Sequence, residues 1–253
     1  MEKVMIELDD RGVLVLTINR EEKWNAVDYD VILAFQDALE QAERDERVKL
    51  MSITGAGGKA FCSGGDLSVF HELFSKEDAF GMLSKMGDVL HKLFILPKPT
   101  VALVNGTALG GGCEILTACD FRLAKENITF GFVQGKLAIT TGWGGGTMLF
   151  ERLKKQDAMK LLMTAERYSA SDGKCLQLFQ EVFPKVSFFD DSSSWIDKLV
   201  AQDVAVLRAY KEMMLQRVDV GKLRKNMFLE IERCSLLWES EAHHKAVQAF
   251  LKK

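Results

Sequence analysis

Proline is nearly absent, three residues in 253, and no long linker or low-complexity segment interrupts the chain. Cysteine is sparse and dispersed: Cys62, Cys113, Cys119, Cys175 and Cys234 form no C-x-x-C pair. An odd, scattered set fits reduced thiols in an intracellular protein and points to no metal site. No apolar stretch is long enough to span a bilayer. The opening residues, MEKVMIELDD, are charged at once and lack the apolar core of a signal peptide. A formal net charge of −3 supplies no field that would make nucleic acid the main partner. No Rossmann fingerprint is present, so no redox cofactor is implied. These absences leave a soluble cytoplasmic protein without a membrane partner as the expectation.

What is present is ordinary globular composition, 47% hydrophobic and 27% charged, in a length that suits one large domain or two small ones. Val4–Leu8 and Val13–Ile18 flank a turn and predict a hairpin. Asp28–Arg44 predicts a helix capped by Asp28, with Val31, Ile32, Phe35, Ala38, Leu39 and Ala42 on one face. Lys49–Thr54 and Val101–Val104 read as buried strands. Between them a helical stretch runs to about Leu96, where Pro97 and Pro99 stop it. Asp120–Ala124 and Ile128–Phe132 read as further strands. Gly142–Thr147 opens a helix through Leu153, Asp157–Thr164 is helical, and another helix lies near Gly173–Leu178. From Trp195 onward the pattern is helical throughout. Strands alternating with helices to about residue 185, then helices alone, predict an α/β body with a helical tail.

Two glycine turns follow comparable apolar runs, Ser63-Gly64-Gly65-Asp66 and Leu109-Gly110-Gly111-Gly112. After the second, Cys113–Cys119 reads as a helix with Glu114 in its first turn. Glycine admits a ligand close to the backbone, and the first N–H groups of a helix are unpaired and lie at the positive end of its dipole. One N–H from each turn, aimed at a common point, would hold an oxygen that becomes negative during a reaction. A carboxylate beside it could act as acid or base. A tight strand-to-helix packing turn would favour glycine as well.

The chain resembles the crotonase (enoyl-CoA hydratase/isomerase) superfamily along essentially its whole length. The resemblance is carried by Asn19-Arg20 with Asn25-Ala26, by Ala60-Phe61-Cys62-Ser63-Gly64-Gly65-Asp66-Leu67, and by Pro97-Lys98-Pro99 ahead of Val104-Asn105-Gly106. It is strongest at Ala108-Leu109-Gly110-Gly111-Gly112-Cys113-Glu114 with Ala118-Cys119-Asp120. Phe130-Gly131, Gly144-Gly145-Gly146-Thr147 and Ala249-Phe250-Leu251-Lys252-Lys253 also fit. The resemblance implies an α/β fold built as a spiral of ββα units over residues 1–190. A C-terminal helical region, 191–253, would build homotrimers, often paired into hexamers. It implies an acyl-CoA thioester as substrate, coenzyme A entering as part of it, with no separate cofactor and no metal. Gly65 and Gly111 would donate to the thioester oxygen as it becomes an enolate. Lys23, Ala26, Ala60, Ser63, Asp66, Leu67, Phe250 and Lys252 would contact the coenzyme A portion.

Hydratases of this family use two glutamates. The first aligns with Glu114; the position of the second is occupied by Gln134, which can hold a water or carbonyl but cannot carry a proton near neutral pH. Glu114 alone still suits isomerisation or protonation of an enolate. The stretch Leu116–Leu123, with Gly142-Trp143-Gly144-Gly145, is similar to the ethylmalonyl/methylmalonyl-CoA decarboxylase branch, whose reaction needs the oxyanion hole and one proton donor. A non-catalytic acyl-CoA-binding or RNA-binding member of the fold also stays open. His71 reads as a packing or surface residue, and His91, His243 and His244 as solvent-facing. Cys62 and Cys113 read as small apolar fillers, Asp66 as a helix cap, and Trp143 either as pocket lining or as core. The Gly142–Gly146 run lacks the Gly-Lys-Ser/Thr ending of a phosphate loop.

Overall fold

The computed structural model describes residues 2–251. The chain opens with β1 (Val4–Leu8) and β2 (Val13–Ile18), an antiparallel hairpin. α1 (Tyr29–Arg44) follows, its first turn capped by the Asp28 side chain, which accepts from the Val31 N–H, and its buried face is the one expected from the spacing. Three passes of the same kind come next: β3 (Leu50–Gly55), β4 (Ala60–Cys62), α2 (Leu67–Phe70) and α3 (Lys76–Ile95); then β5 (Thr100–Val104), β6 (Thr107–Leu109) and α4 (Gly111–Ala118); then β7 (Phe121–Lys125), β8 (Thr129–Gly131), a 3-10 turn at Val133–Leu137, α5 (Gly145–Arg152) and α6 (Lys155–Thr164). β9 (Tyr168–Ser169), α7 (Ala170–Cys175) and β10 (Glu181–Phe183) complete the body. The chain ends in α8 (Phe188–Val200), α9 (Val204–Leu215), α10 (Val220–Trp238) and α11 (Glu241–Leu251).

Each pass sends its first strand into a six-stranded sheet, β1-β2-β3-β5-β7-β10, and its second into a four-stranded one, β4-β6-β8-β9. β3, β5 and β7 run parallel, as do β4, β6 and β8, so the backbone advances as a spiral of ββα turns. The carboxyl ends of β4 and β6 consequently lie side by side, and each feeds a helix. Lys98, between the two prolines, is fully buried with its ammonium on the Asp45 carbonyl at 2.8 Å, which ties the start of β5 to the end of α1.

Several boundaries differ from the sequence reading. The short strands β6, β9 and β10 were not expected. α4 starts at Gly111 rather than Cys113, so the middle glycine is already its first residue. α8 starts at Phe188, and the division expected at residue 190 falls inside it. The C-terminal helices share the core of the body. Phe188, Ile196 and Val200 of α8 pack with Val13, Leu50 and Leu123 of the larger sheet. Met227, Ile231 and Trp238 of α10 join the main cluster with α3 and α5. Among the described residues no helix is long and apolar enough to cross a membrane.

Candidate active site

The two glycine turns meet. Gly64 has φ +102°, and a Cβ on it would lie 3.0 Å from the Gly111 amide nitrogen, so glycine lets the first turn press directly against the second. Val27 fixes which way the first turn faces: it donates to the Gly64 carbonyl at 2.8 Å and accepts from the Asp66 N–H at 2.9 Å. The N–H of Gly65, between those two groups, therefore points to the other side. Gly111 opens α4, where no earlier turn supplies a carbonyl. Among the described residues neither N–H has a protein acceptor. Two unpaired donors on adjoining backbone turns, one at the positive end of a helix, are suited to hold an oxygen that gains charge.

Glu114 projects from the first turn of α4 and is 2% exposed. Its Oε1 accepts from Gln134 Nε2 at 2.9 Å and from the Gly142 N–H at 3.3 Å; its Oε2 accepts from the N–H groups of Trp143 at 2.8 Å and Gly145 at 2.9 Å. The entry to α5 thus wraps one carboxylate in backbone donors. A second carboxylate caps the next two: Glu230 of α10 accepts from the N–H groups of Gly146 at 3.1 Å and Thr147 at 2.7 Å. Burial first, then the Glu230 charge, raise the pKa of Glu114 above the ordinary glutamate range, against the opposing pull of the backbone donors. Burial raises Glu230 as well. Glu230 escaped the sequence reading because α10 lies far along the chain and carries no motif around it.

Gln134 sits on the 3-10 turn after β8. Its amide nitrogen binds Glu114, while its Oε1 is buried with no donor. A Cβ on Gly110 would lie 3.9 Å from that side-chain amide, which places it beside the second glycine turn. Gly65, Gly111, Glu114 and Gln134, read separately from the sequence, are therefore neighbours. Trp143 joins them: a Cβ on Gly111 would fall 2.2 Å from its ring, and one on Gly65 3.6 Å from it.

Comparison with known proteins places the chain in a family. The family model described as enoyl-CoA hydratase/isomerase matches residues 9–253. The crotonyl-CoA hydratase of Syntrophomonas wolfei subsp. wolfei is 30% identical over 253 residues, covering 100% of this chain and 96% of its own. The chain belongs to the enoyl-CoA hydratase/isomerase family. The ethylmalonyl-CoA decarboxylase of Danio rerio is 32% identical over 214 residues, 83% of this chain and 70% of its own. The crystal structure of a carnitinyl-CoA hydratase from Mycobacterium avium superposes with a TM-score of 0.86 at 30% identity, covering 100% of this chain and 96% of that one. The crotonase fold expected from the motifs is thus shown, and family members named for hydration and for decarboxylation stand at similar identity.

Six of the eight residues expected at the coenzyme A end, those from Lys23 to Leu67, fall on two segments that run together. Ser63 donates to the Trp24 carbonyl at 3.1 Å, and Asn25 Nδ2 donates to the Ala60 carbonyl at 2.8 Å. Lys23 is exposed at the tip of this pair of loops, whereas Ala26 and Ala60 are buried and offer backbone only. Leu67 opens α2 and lines a cavity of about 110 Å³ with His71, Trp238, His243 and Val247. Both oxygens of Asp66 are engaged within the protein. Oδ1 caps α2 through Ser68, and Oδ2 binds Arg20 at 2.7 Å. Burial opposes ionisation there, yet hydrogen bonds from Ser68 and Arg20 hold Asp66 below the usual carboxylate value. Phe250 is exposed on α11; Lys252 lies outside the described residues.

The histidines require correction. His91 and His243 are buried, 7% and 2% exposed, rather than solvent-facing. His243 Nδ1 meets the Leu137 carbonyl at 2.7 Å and its ring stacks on Trp238, pinning α11 to the turn that carries Gln134. His71 Nδ1 meets the Leu67 carbonyl at 2.9 Å within its own helical turn. Burial pushes the Cys62 thiol up to about 12 and raises Cys113 also, so both are fillers rather than nucleophiles.

Proposed function

We propose that the chain converts an acyl-CoA thioester through an enolate whose oxygen is held by the N–H groups of Gly65 and Gly111. The observation that carries this reading is the pair of unpaired backbone donors on touching turns, with Glu114 one helical turn away. Coenzyme A enters as part of the substrate, its handle lying along the Lys23–Ala26 and Ala60–Leu67 loops. Glu114 moves the one proton that enolate chemistry requires. Oε2 is fixed by two backbone N–H groups, so Oε1, shared between the rotatable Gln134 amide and the longer Gly142 contact, is the oxygen that carries it. Gln134 keeps its free Oε1 for a hydrogen-bond donor on the substrate or for a water. With an amide in the second acid's place, isomerisation or protonation is favoured over two-acid hydration. A second reading, decarboxylation of a malonyl-type acyl-CoA, is favoured by the Trp143 ring against both donor glycines. An apolar wall there would strip water from a departing carboxylate. The assembly is proposed to be a homotrimer or a dimer of trimers.

Incubation with crotonyl-CoA, a 3-enoyl-CoA and ethylmalonyl-CoA, with thioester products followed by mass, tests these readings. Double-bond migration supports the first, and carbon dioxide release from ethylmalonyl-CoA supports the second. Hydration at a rate typical of two-glutamate enzymes would refute the role assigned to Gln134. Binding of all three without turnover would leave a non-catalytic acyl-CoA-binding protein.

A further inference from the structure

Within the Gly142–Gly146 run Trp143 alone carries a side chain, and that side chain lies across the site. Its benzo edge occupies the space a Cβ on Gly111 would need, at 2.2 and 2.4 Å from two ring carbons, and it reaches Gly65 at 3.6 Å by the same measure. The ring is 4% exposed, hence packed rather than swinging free. Its backbone is held as firmly: the Trp143 N–H bonds Glu114 Oε2 at 2.8 Å, and the neighbouring Gly142 and Gly145 N–H groups bond the same carboxylate. Phe70 lies at 3.2 Å from the same Cβ built on Gly65, so both donor glycines are walled by aromatic rings.

We infer that Trp143 is a specificity-determining residue that restricts this site to short, compact acyl groups. The inference rests on the acyl-CoA reading given above. A thioester oxygen bound between the Gly65 and Gly111 N–H groups, about 2.9 Å from each nitrogen, brings its α-carbon into van der Waals range of the two glycines, beside the indole edge that packs on both. The chain beyond the first few carbons meets that edge. To pass, it must turn away or displace a ring whose loop is fixed by three hydrogen bonds to one buried carboxylate. A close-packed wall of this kind discriminates strongly, since a misfit of one methylene in an apolar pocket costs about 10–200-fold.

The test compares butanoyl-CoA, decanoyl-CoA and coenzyme A itself for direct binding by calorimetry, with native protein, Trp143→Ala and Trp143→Phe. Native protein is expected to bind butanoyl-CoA at least about 100-fold more tightly than decanoyl-CoA. Trp143→Ala should bring the two within about tenfold by gaining on the long chain, with Trp143→Phe between. A structural role for Trp143 alone would weaken both thioesters in proportion and leave their ratio unchanged, which would overturn the assignment. Equal binding of both by native protein would overturn it without any variant, and Trp143→Phe, which keeps an apolar ring in the loop, decides the ratio if Trp143→Ala fails to fold. If none of the three ligands binds native protein, the acyl-CoA reading itself fails; if they bind without chain-length preference, only the role of Trp143 does.

Discussion

Glu114 has four hydrogen-bond donors on two oxygens, and three of them are backbone N–H groups that cannot follow it if it is changed. Glu114→Gln presents an NH2 group to N–H donors, so at least one buried pair faces donor to donor. The fold is expected to lose about 1–3 kcal/mol, read as a lower denaturant midpoint. Turnover is expected to fall by a factor of about 10²–10⁴, because an amide carries no proton. Loss of stability with unchanged turnover would restrict Glu114 to holding the Trp143 loop. Burial, and after it the Glu230 charge, sets the pH range over which this works. Both carboxyl pKa values are raised, so between the ordinary glutamate value and the raised one the folded chain holds protons that the unfolded chain has released. In that window these two sites lose stability as pH rises. Turnover that needs protonated Glu114 declines over the upper part of the same range. Glu230→Gln removes a neighbouring negative charge, which makes ionisation of Glu114 easier and lowers its pKa. The decline in the pH–rate profile should therefore move to lower pH; a limb that stays in place or moves up would separate the two carboxylates functionally.

At the scale of elements, two asparagines of the family motifs stitch the turn between β3 and β4. Asn105 Nδ2 donates to the Gly55 carbonyl at 2.6 Å and the Gly57 carbonyl at 2.8 Å; Asn25 Nδ2 donates to the Ala56 carbonyl at 3.0 Å and the Ala60 carbonyl at 2.8 Å. Asn105→Ala strands the buried Gly55 carbonyl, near the root of the first glycine turn, and is expected to cost about 1–3 kcal/mol, measured by chemical denaturation. Long periodic elements such as α1 were legible in the sequence because many residues repeat one spacing, and the face predicted there is the face buried. β6, β9 and β10 were not, because two or three residues hold too little alternation to read and are strands only through partners brought in by the spiral. Of the candidate site, the adjoining glycine turns were legible where a motif marks a backbone conformation, at Gly65 and Gly111. The site was illegible where the fold alone brings a residue in, at Glu230. The same holds for His243, whose polar neighbours suggest surface until Leu137 supplies its acceptor and Trp238 its wall.

At the scale of the molecule, apolar side chains remain uncovered on the outer helices. Val206, Tyr210 and Met213 lie at i, i+4 and i+7 along α9, exposed by 44%, 67% and 59%. Such a spacing forms one stripe on a helix, and a stripe of this chemistry facing water is the usual mark of a contact between chains. α9 packs against the body through Leu207 and Lys211, on a neighbouring face of the helix. Lys211 makes a buried ion pair with Asp120, the residue directly after α4 and Cys119. One helix thus carries both the stripe and the ion pair that reaches the far end of α4, so a contact on the stripe is expected to steady that pair and the helix that opens with Gly111. Sedimentation of the native chain is expected to show three or six copies. Tyr210→Glu with Met213→Glu, which adds two charges to the stripe while leaving Leu207 and Lys211 in place, is expected to yield a folded monomer whose turnover is reduced. Native sedimentation as a monomer would place the stripe's function elsewhere, and an unaltered assembly in the double variant would move the contact to another face.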